Sequence, residues 1–156
     1  MVNTKQLAEL SELAQQLNAK SNNLNDSIKS LNGQLSPMNI GLEFYMTCPA
    51  LLATGKRYSN TSPPTEYEQN TYLGWDRPGD HWELTVKAVT TEYRWNSDSR
   101  EEETIDEEEY TSLLETSREI RLKAIEHFDQ FLNGLKAHVQ EKLRHLKHAE
   151  KLAQPE

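Results

Sequence analysis

The chain has 156 residues, of which 27% are charged and 35% are hydrophobic, and its formal net charge is −8 at pH 7. This length suits a single domain spanning residues 1–156 with a core of ordinary size, and the composition excludes a disordered chain. The negative charge disfavours nucleic acid and anionic lipid as partners, because both are themselves negatively charged.

The sequence carries no signal for export or for membrane insertion. The single cysteine, Cys48, cannot form an internal disulfide, so an oxidising compartment is not indicated. The first residues lack the apolar core of a signal peptide, and no apolar run reaches the roughly 18 residues of a transmembrane helix. We therefore expect a cytoplasmic protein without a membrane partner.

Residues 3–34 have the heptad pattern of a coiled-coil-like helix. Several asparagines in this segment are weak helix formers, so the helix must depend on a packed partner. Asn32 and Gly33 predict its C-cap, and Pro37 prevents it from continuing. Two rows of residues spaced seven apart share one narrow stripe: Leu10, Leu17, Leu24 and Leu31, and Leu7, Ala14, Ser21, Ile28 and Leu35.

Residues 38–96 predict a four-stranded antiparallel meander. Apolar and polar residues alternate from Met38 to Thr47, which indicates a half-buried strand, and a weaker strand lies within residues 50–59. Residues 77–80 read Arg-Pro-Gly-Asp, the chemistry of a turn between the third and fourth strands. If the strands leave this turn symmetrically, three pairs face each other and share one face of the sheet, whereas a longer or bulged turn would shift this register: Trp75 with Trp82, Leu73 with Leu84, and Thr71 with Val86.

Residues 98–109 contain eight acids and one base and set the charge of the whole chain. We interpret them as an acidic connector that contains a short helix, because Thr104 and Glu107 have the spacing of a capping box. Clustered carboxylates can bind calcium or magnesium, but the spacing of an EF-hand is missing. The alternatives are a solvated connector and a surface for a basic partner or for the basic end of the last helix.

Residues 116–153 predict a second long helix, opened by a capping box at Thr116 and Glu119. Two long helices at the two ends of the chain, each with an apolar stripe, are expected to pack antiparallel with the sheet inserted between them. The predicted fold class is therefore α+β. Because two helices leave part of each stripe uncovered, we expect a homodimer formed through the helices.

Candidate binding residues fall into two groups. Trp75, Trp82 and Tyr72 belong to an aromatic-rich hairpin, and aromatic side chains are favoured both at binding sites and in cores. Arg118 and Arg121 lie at a helix start, where the helix dipole disfavours cations. The arginines therefore either pair with the acids upstream or contact an anionic ligand.

One further stripe has the residue types of a metal site. His138, Glu141, His145 and His148 are spaced by three, four and three residues, so they lie on one side of a helix. The neighbouring bases disfavour a cation, and we assign no metal and no cofactor. No catalytic residue is assigned either, because Cys48 has no nearby histidine and a phosphate-binding glycine-rich loop is missing.

The sequence thus predicts a non-catalytic protein-interaction or adaptor module that self-associates through its long helices and has a protein partner. A second hypothesis is a small-molecule-binding protein or weak enzyme, with a pocket between the sheet and the C-terminal helix. A third is an acidic mimic that inhibits a basic, nucleic-acid-binding partner.

Overall fold

A computed structural model describes residues 3–62 and 64–154 of the chain. In this part, three helices accompany one antiparallel sheet, which confirms the α+β class. The helices are α1 (Thr4–Leu35), α2 (Arg118–Glu126) and α3 (Phe128–Ala153), with short 3-10 turns at Ser36–Met38 and Leu113–Glu115. The strands are β1 (Phe44–Tyr45), β2 (Leu52–Ala53), β3 (Arg57–Tyr58), β4 (Glu66–Asp76), β5 (Glu83–Asn96) and β6 (Glu101–Ser112).

Three long strands form the body of the sheet in the order β4-β5-β6. The short strands β1, β2 and β3 all pair with the outer edge of β4. The described sheet therefore has six strands rather than the predicted four. The difference arises because the region before β4 is divided into three short strands and the acidic segment contributes a strand of its own.

The acidic segment is the main correction to the sequence analysis. Residues 98–109 were expected to be a connector with a short helix, but they form a turn and most of β6. An unbroken ladder joins β6 to β5, from Asn96 opposite Glu101 to Thr85 opposite Ser112. Glutamate has a weak strand propensity, but strand propensity depends more on context than helix propensity does. The backbone hydrogen bonds of this ladder therefore outweigh the weak propensity of the glutamates.

The core lies on one face of the long strands. Trp75 is opposite Leu84 and Leu73 is opposite Val86, so these side chains share that face, and each is at most 4% exposed. The shared face was predicted correctly, but the symmetric register was wrong by two residues, because the connection between Asp76 and Glu83 is longer than a two-residue turn. One of the two predicted helix rows packs here, through its buried members Ser21, Ile28 and Leu35.

The helices α1 and α2 run in the same direction where they touch. Arg118 donates a hydrogen bond to Asn18 Oδ1 over 2.7 Å. Arg121 donates one to Asn25 Oδ1, further along both helices. Antiparallel packing of the helices was expected on the assumption that the sheet alone reverses the chain. Residues 113–117 reverse the chain a second time, because they lead from the end of β6 back to the middle of α1. The helix that follows them, α2, therefore runs in the same direction as α1.

The predicted helix over residues 116–153 is divided at His127, which separates α2 from α3. His127 has φ −105° and ψ 6°, outside the helical region, and its N–H bonds to the carbonyls of Ala124 and Ile125. At the other end of the chain, α1 continues two residues past Gly33, so Gly33 is not its C-cap.

Gly74 of β4 tests how closely β1 packs on β4. A Cβ at this position would lie 2.3 Å from Tyr45 Cδ1 and 2.7 Å from the carbonyl oxygen of Phe44. We expect Gly74→Ala to lower the free energy of unfolding by about 1–3 kcal/mol, since both ring and backbone must move. Urea denaturation followed by circular dichroism measures this change.

Gly33→Ala is the matched control. Its Cβ would have no atom within 4 Å. In a helix this substitution is expected to raise the free energy of unfolding by up to about 1 kcal/mol. Equal changes in the two variants would contradict the position of Tyr45 over β4.

Candidate functional site

A cavity of about 320 Å³ lies beside two of the predicted binding residues, Trp75 and Trp82. Their rings are stacked, with centroids 6.5 Å apart and planes inclined by 20°. Asn39 and Gly41, with φ of 49° and 59°, turn the chain along the opposite wall after α1 ends. The buried Trp75 Nε1 finds no acceptor among the described residues. The wall formed by Trp75 and Trp82 therefore combines aromatic surface with a hydrogen-bond donor that has no acceptor among the described residues.

His81 lines the same cavity and lies between two carboxylates. Its Nδ1 is 3.0 Å from Asp80 Oδ1 and its Nε2 is 3.1 Å from Glu83 Oε2. The hydrogen bonds to Asp80 and then to Glu83 raise the pKa of His81 above its ordinary value of 6.5. The same contact with His81 lowers the pKa of Asp80. The cavity mouth thus has a histidine that holds its proton more firmly than usual.

Tyr72 lies on the other face of the sheet, which carries tyrosine–carboxylate pairs instead of a core. Tyr45 donates a hydrogen bond to Asp76 Oδ2 over 2.6 Å. Burial first, and then Asp76, raises the pKa of Tyr45 far above its ordinary range. A hydrogen bond to Glu68 raises the pKa of Tyr93 to about 12. These tyrosines therefore remain protonated donors at any physiological pH.

Arg118 and Arg121 lie elsewhere, at the groove between α1 and α2. A cavity of about 660 Å³ lies there, with Arg118 at its edge and an apolar lining that includes Leu17, Leu24 and Leu122. The guanidinium groups bond to asparagines of α1, and no described acid forms an ion pair with either. The acids upstream therefore do not neutralise these arginines.

The histidine stripe is occupied by contacts within α3. His145 Nε2 and Arg144 Nη2 lie 2.9 and 2.6 Å from the same Glu141 oxygen. The hydrogen bond from Arg144 lowers the pKa of Glu141. His138 packs against Phe44 with centroids 5.5 Å apart, and His148 is exposed further along α3. Within residues 3–62 and 64–154, no three His, Cys, Asp or Glu side chains are arranged to hold a metal ion.

The five predicted binding residues thus lie in three places: the tryptophans at one cavity, Tyr72 on the far face of the sheet, and the arginines in the helix groove. Two features were not predicted from the sequence, His81 and the Tyr45–Asp76 pair. The contacts of His81 are local, because Asp80 precedes it and Glu83 follows two residues later, so the Asp-His-x-Glu spacing could have signalled them. Tyr45 and Asp76 lie 31 residues apart and meet only in the folded sheet, so no local spacing signals that pair.

Each of the two long helices has a long exposed stretch, at the start of α1 and at the end of α3, and the last residues of the α1 stretch border the groove with α2. Residues 4–20 of α1 are all exposed, and so are residues 140–153 of α3; we call them the α1 arm and the α3 arm. The α1 arm carries four leucines that are 52–61% exposed: Leu7, Leu10, Leu13 and Leu17. The α3 arm carries three that are 49–75% exposed: Leu143, Leu146 and Leu152. Single exposed leucines are common, but such rows on helices indicate contact surfaces.

None of the described helices combines the length and the hydropathy that a membrane crossing requires. Comparison with protein-family models, with curated proteins and with solved structures finds no match for this chain. Its function must therefore be inferred from its own surfaces.

The pKa of His81 is directly testable by titrating its ring protons by NMR. We expect a value above 6.5, and a lower value in Glu83→Gln, which removes one of the two carboxylates. Because the pKa in the folded state is raised, these contacts stabilise the protein fully below the unfolded pKa. The stabilisation is lost as pH rises through the folded pKa. Identical titration curves in the two proteins would contradict the geometry.

Proposed function

We propose that this protein is a cytoplasmic, non-catalytic interaction module that self-associates through the α1 arm. The observation that supports this is the row of four leucines, each more than half exposed, on a helix whose other half packs on the core through Ser21, Ile28 and Leu35. Burying one leucine side chain is worth about 1.5–3 kcal/mol. The leucines of two such arms together supply a large driving force for association.

A second copy fits this surface because the apolar stripe of the arm continues into the groove between α1 and α2. Leu17 belongs to both, and Leu24 and Leu122 extend the apolar lining toward the body of the protein. When the twofold axis is perpendicular to the arms, the two arms run antiparallel, and the tip of each, about 25 Å from its base, reaches the partner's groove.

Charge also supports pairing of like arms. The α1 arm has two bases and two acids, Lys5, Lys20, Glu9 and Glu12, so two arms do not repel each other. Lys5 already lies 3.9 Å from Glu9 within one helix. Such balanced charges beside an apolar stripe are typical of helices that pair in water.

The other two function classes have less support in the geometry. A small-molecule pocket needs polar groups that converge, whereas Trp75 and Arg118 line different cavities. An acidic mimic agrees with the charge of β6 but leaves the leucine rows of both arms without a role.

The decisive test is the double variant Leu10→Glu with Leu17→Glu. At about 1 M salt, where contacts between exposed charges are screened, wild-type protein is expected to have twice the chain mass in light scattering, because the leucine rows of two copies are buried together. The variant is expected to be monomeric, with a Kd raised about 100-fold or more, equivalent to about 2.7 kcal/mol. Circular dichroism should show that helix content in the variant is retained.

Ala19→Glu is the matched control, because Ala19 is exposed on the side of α1 opposite Leu10. It introduces the same side chain at little cost in helix propensity and should leave the dimer intact. A wild-type protein that is monomeric at all concentrations tested, or a control that dissociates like the double variant, would rule out the proposal.

A further inference from the structure

The α3 arm is a basic amphipathic helix. Its bases outnumber its acids by four to two: Lys142, Arg144, Lys147 and Lys151 against Glu141 and Glu150. With about 100° per residue, Val139, Leu143 and Leu146 form one stripe. Lys142 lies on one side of that stripe, and Lys147 and Lys151 lie on the other. None of these three lysines has an ion-pair partner within the described residues.

The strand β6 has the opposite character. Thr111 is opposite the buried Val86, so alternate residues of β6 extend the face of the sheet on which the core is built. The residues that continue this face beyond the core are all exposed, and we call them the acidic face: Glu101, Glu103, Ile105, Glu107 and Glu109.

The acids of this face form no ion pair with any described residue, since Arg94, which lies opposite Glu103, pairs with Glu92 instead. Glu103 accepts a hydrogen bond from Asn96 over 2.6 Å, but no described lysine or arginine lies within ion-pair distance of any of the four glutamates. Ile105, which is 45% exposed, gives the acidic face an apolar centre. An apolar centre flanked by acids is complementary to an apolar stripe flanked by lysines.

The two surfaces cannot meet within one subunit without breaking α3. The helix is continuous from Phe128 to Ala153, and its arm extends away from the body. A second copy offers both surfaces at once. The arm is about 20 Å long, and residues 101–109 of an extended strand span about 27 Å, so the lengths are compatible.

We propose that the α3 arm of one copy docks on the acidic face of β6 in a second copy. In a twofold pair each copy contributes one arm and one acidic face, so two equivalent contacts form. This contact is separate from pairing of the α1 arms, and it differs in physical character. Its charged groups are exposed, so it is strong at about 0.1 M salt, where the Debye length is about 10 Å, and weak at about 1 M, where it is about 3 Å.

The test exchanges the charges of the two surfaces. One variant carries Lys142→Glu, Lys147→Glu and Lys151→Glu; the other carries Glu101→Lys, Glu107→Lys and Glu109→Lys. Each alone is expected to weaken the salt-sensitive association about tenfold or more, because attraction becomes repulsion at several exposed pairs. A mixture of the two variants, and a single chain with all six substitutions, should regain it.

Light scattering and sedimentation at low and high salt separate this contact from the α1 pairing. The mass that persists at high salt reports the leucine contact, and the additional mass at low salt reports the charge-dependent one. The inference is overturned if neither triple variant changes the low-salt mass, or if the chain with six substitutions fails to regain it. Binding of the arm to phosphatidylserine vesicles without any salt-dependent association would also overturn it, since the arm would then serve a membrane surface.

Discussion

The contact between the C-terminal half of α1 and the core face of the sheet holds this fold together. Ile28 is fully buried and Leu35 is 4% exposed, and both belong to one cluster with Leu73 of β4 and Leu84 of β5. Asn32, between them on α1, accepts a hydrogen bond from the Leu84 backbone N–H over 2.8 Å. A buried N–H without an acceptor costs about 1–3 kcal/mol, so this hydrogen bond favours one position of α1 along the strands.

The periodicity of apolar residues was sufficient to predict a helix or strand correctly where the core buries one face of it. It predicted the buried row of α1 and the shared face of Trp75 and Leu84, because each signal is local and repeated. It failed for β6, since residues 101–110 are all exposed and have no apolar alternation to detect. The direction of α2 depends on residues 113–117, and the break at His127 lacks a proline or glycine. Likewise, the leucine rows were visible in the sequence. Which half of each helix remains exposed depends on how the helices pack in three dimensions, and the sequence pattern does not show this.

The location of the acids has consequences for how copies of the chain can meet. The strand β6 is an edge of the sheet, and such edges invite pairing with the same edge of another molecule. Seven acids between Glu101 and Glu109 make that pairing repulsive. Charge on β6 therefore disfavours pairing of two β6 edges. The proposed docking of the basic α3 arm would use the same acids as an attractive surface, so one set of charges would disfavour one contact and favour another.

The two halves of α1 differ in what they contribute to the stability of the fold. The buried half of α1 contributes to the core, whereas residues 4–20 contribute no buried residue to it. An isolated helix of that length is marginal in water. The packed half removes the nucleation cost, because the arm only extends a helix that already exists. Burial of Leu10 and Leu17 against another subunit would then favour the helical arm further, so ordering of the arm and self-association are two aspects of one equilibrium.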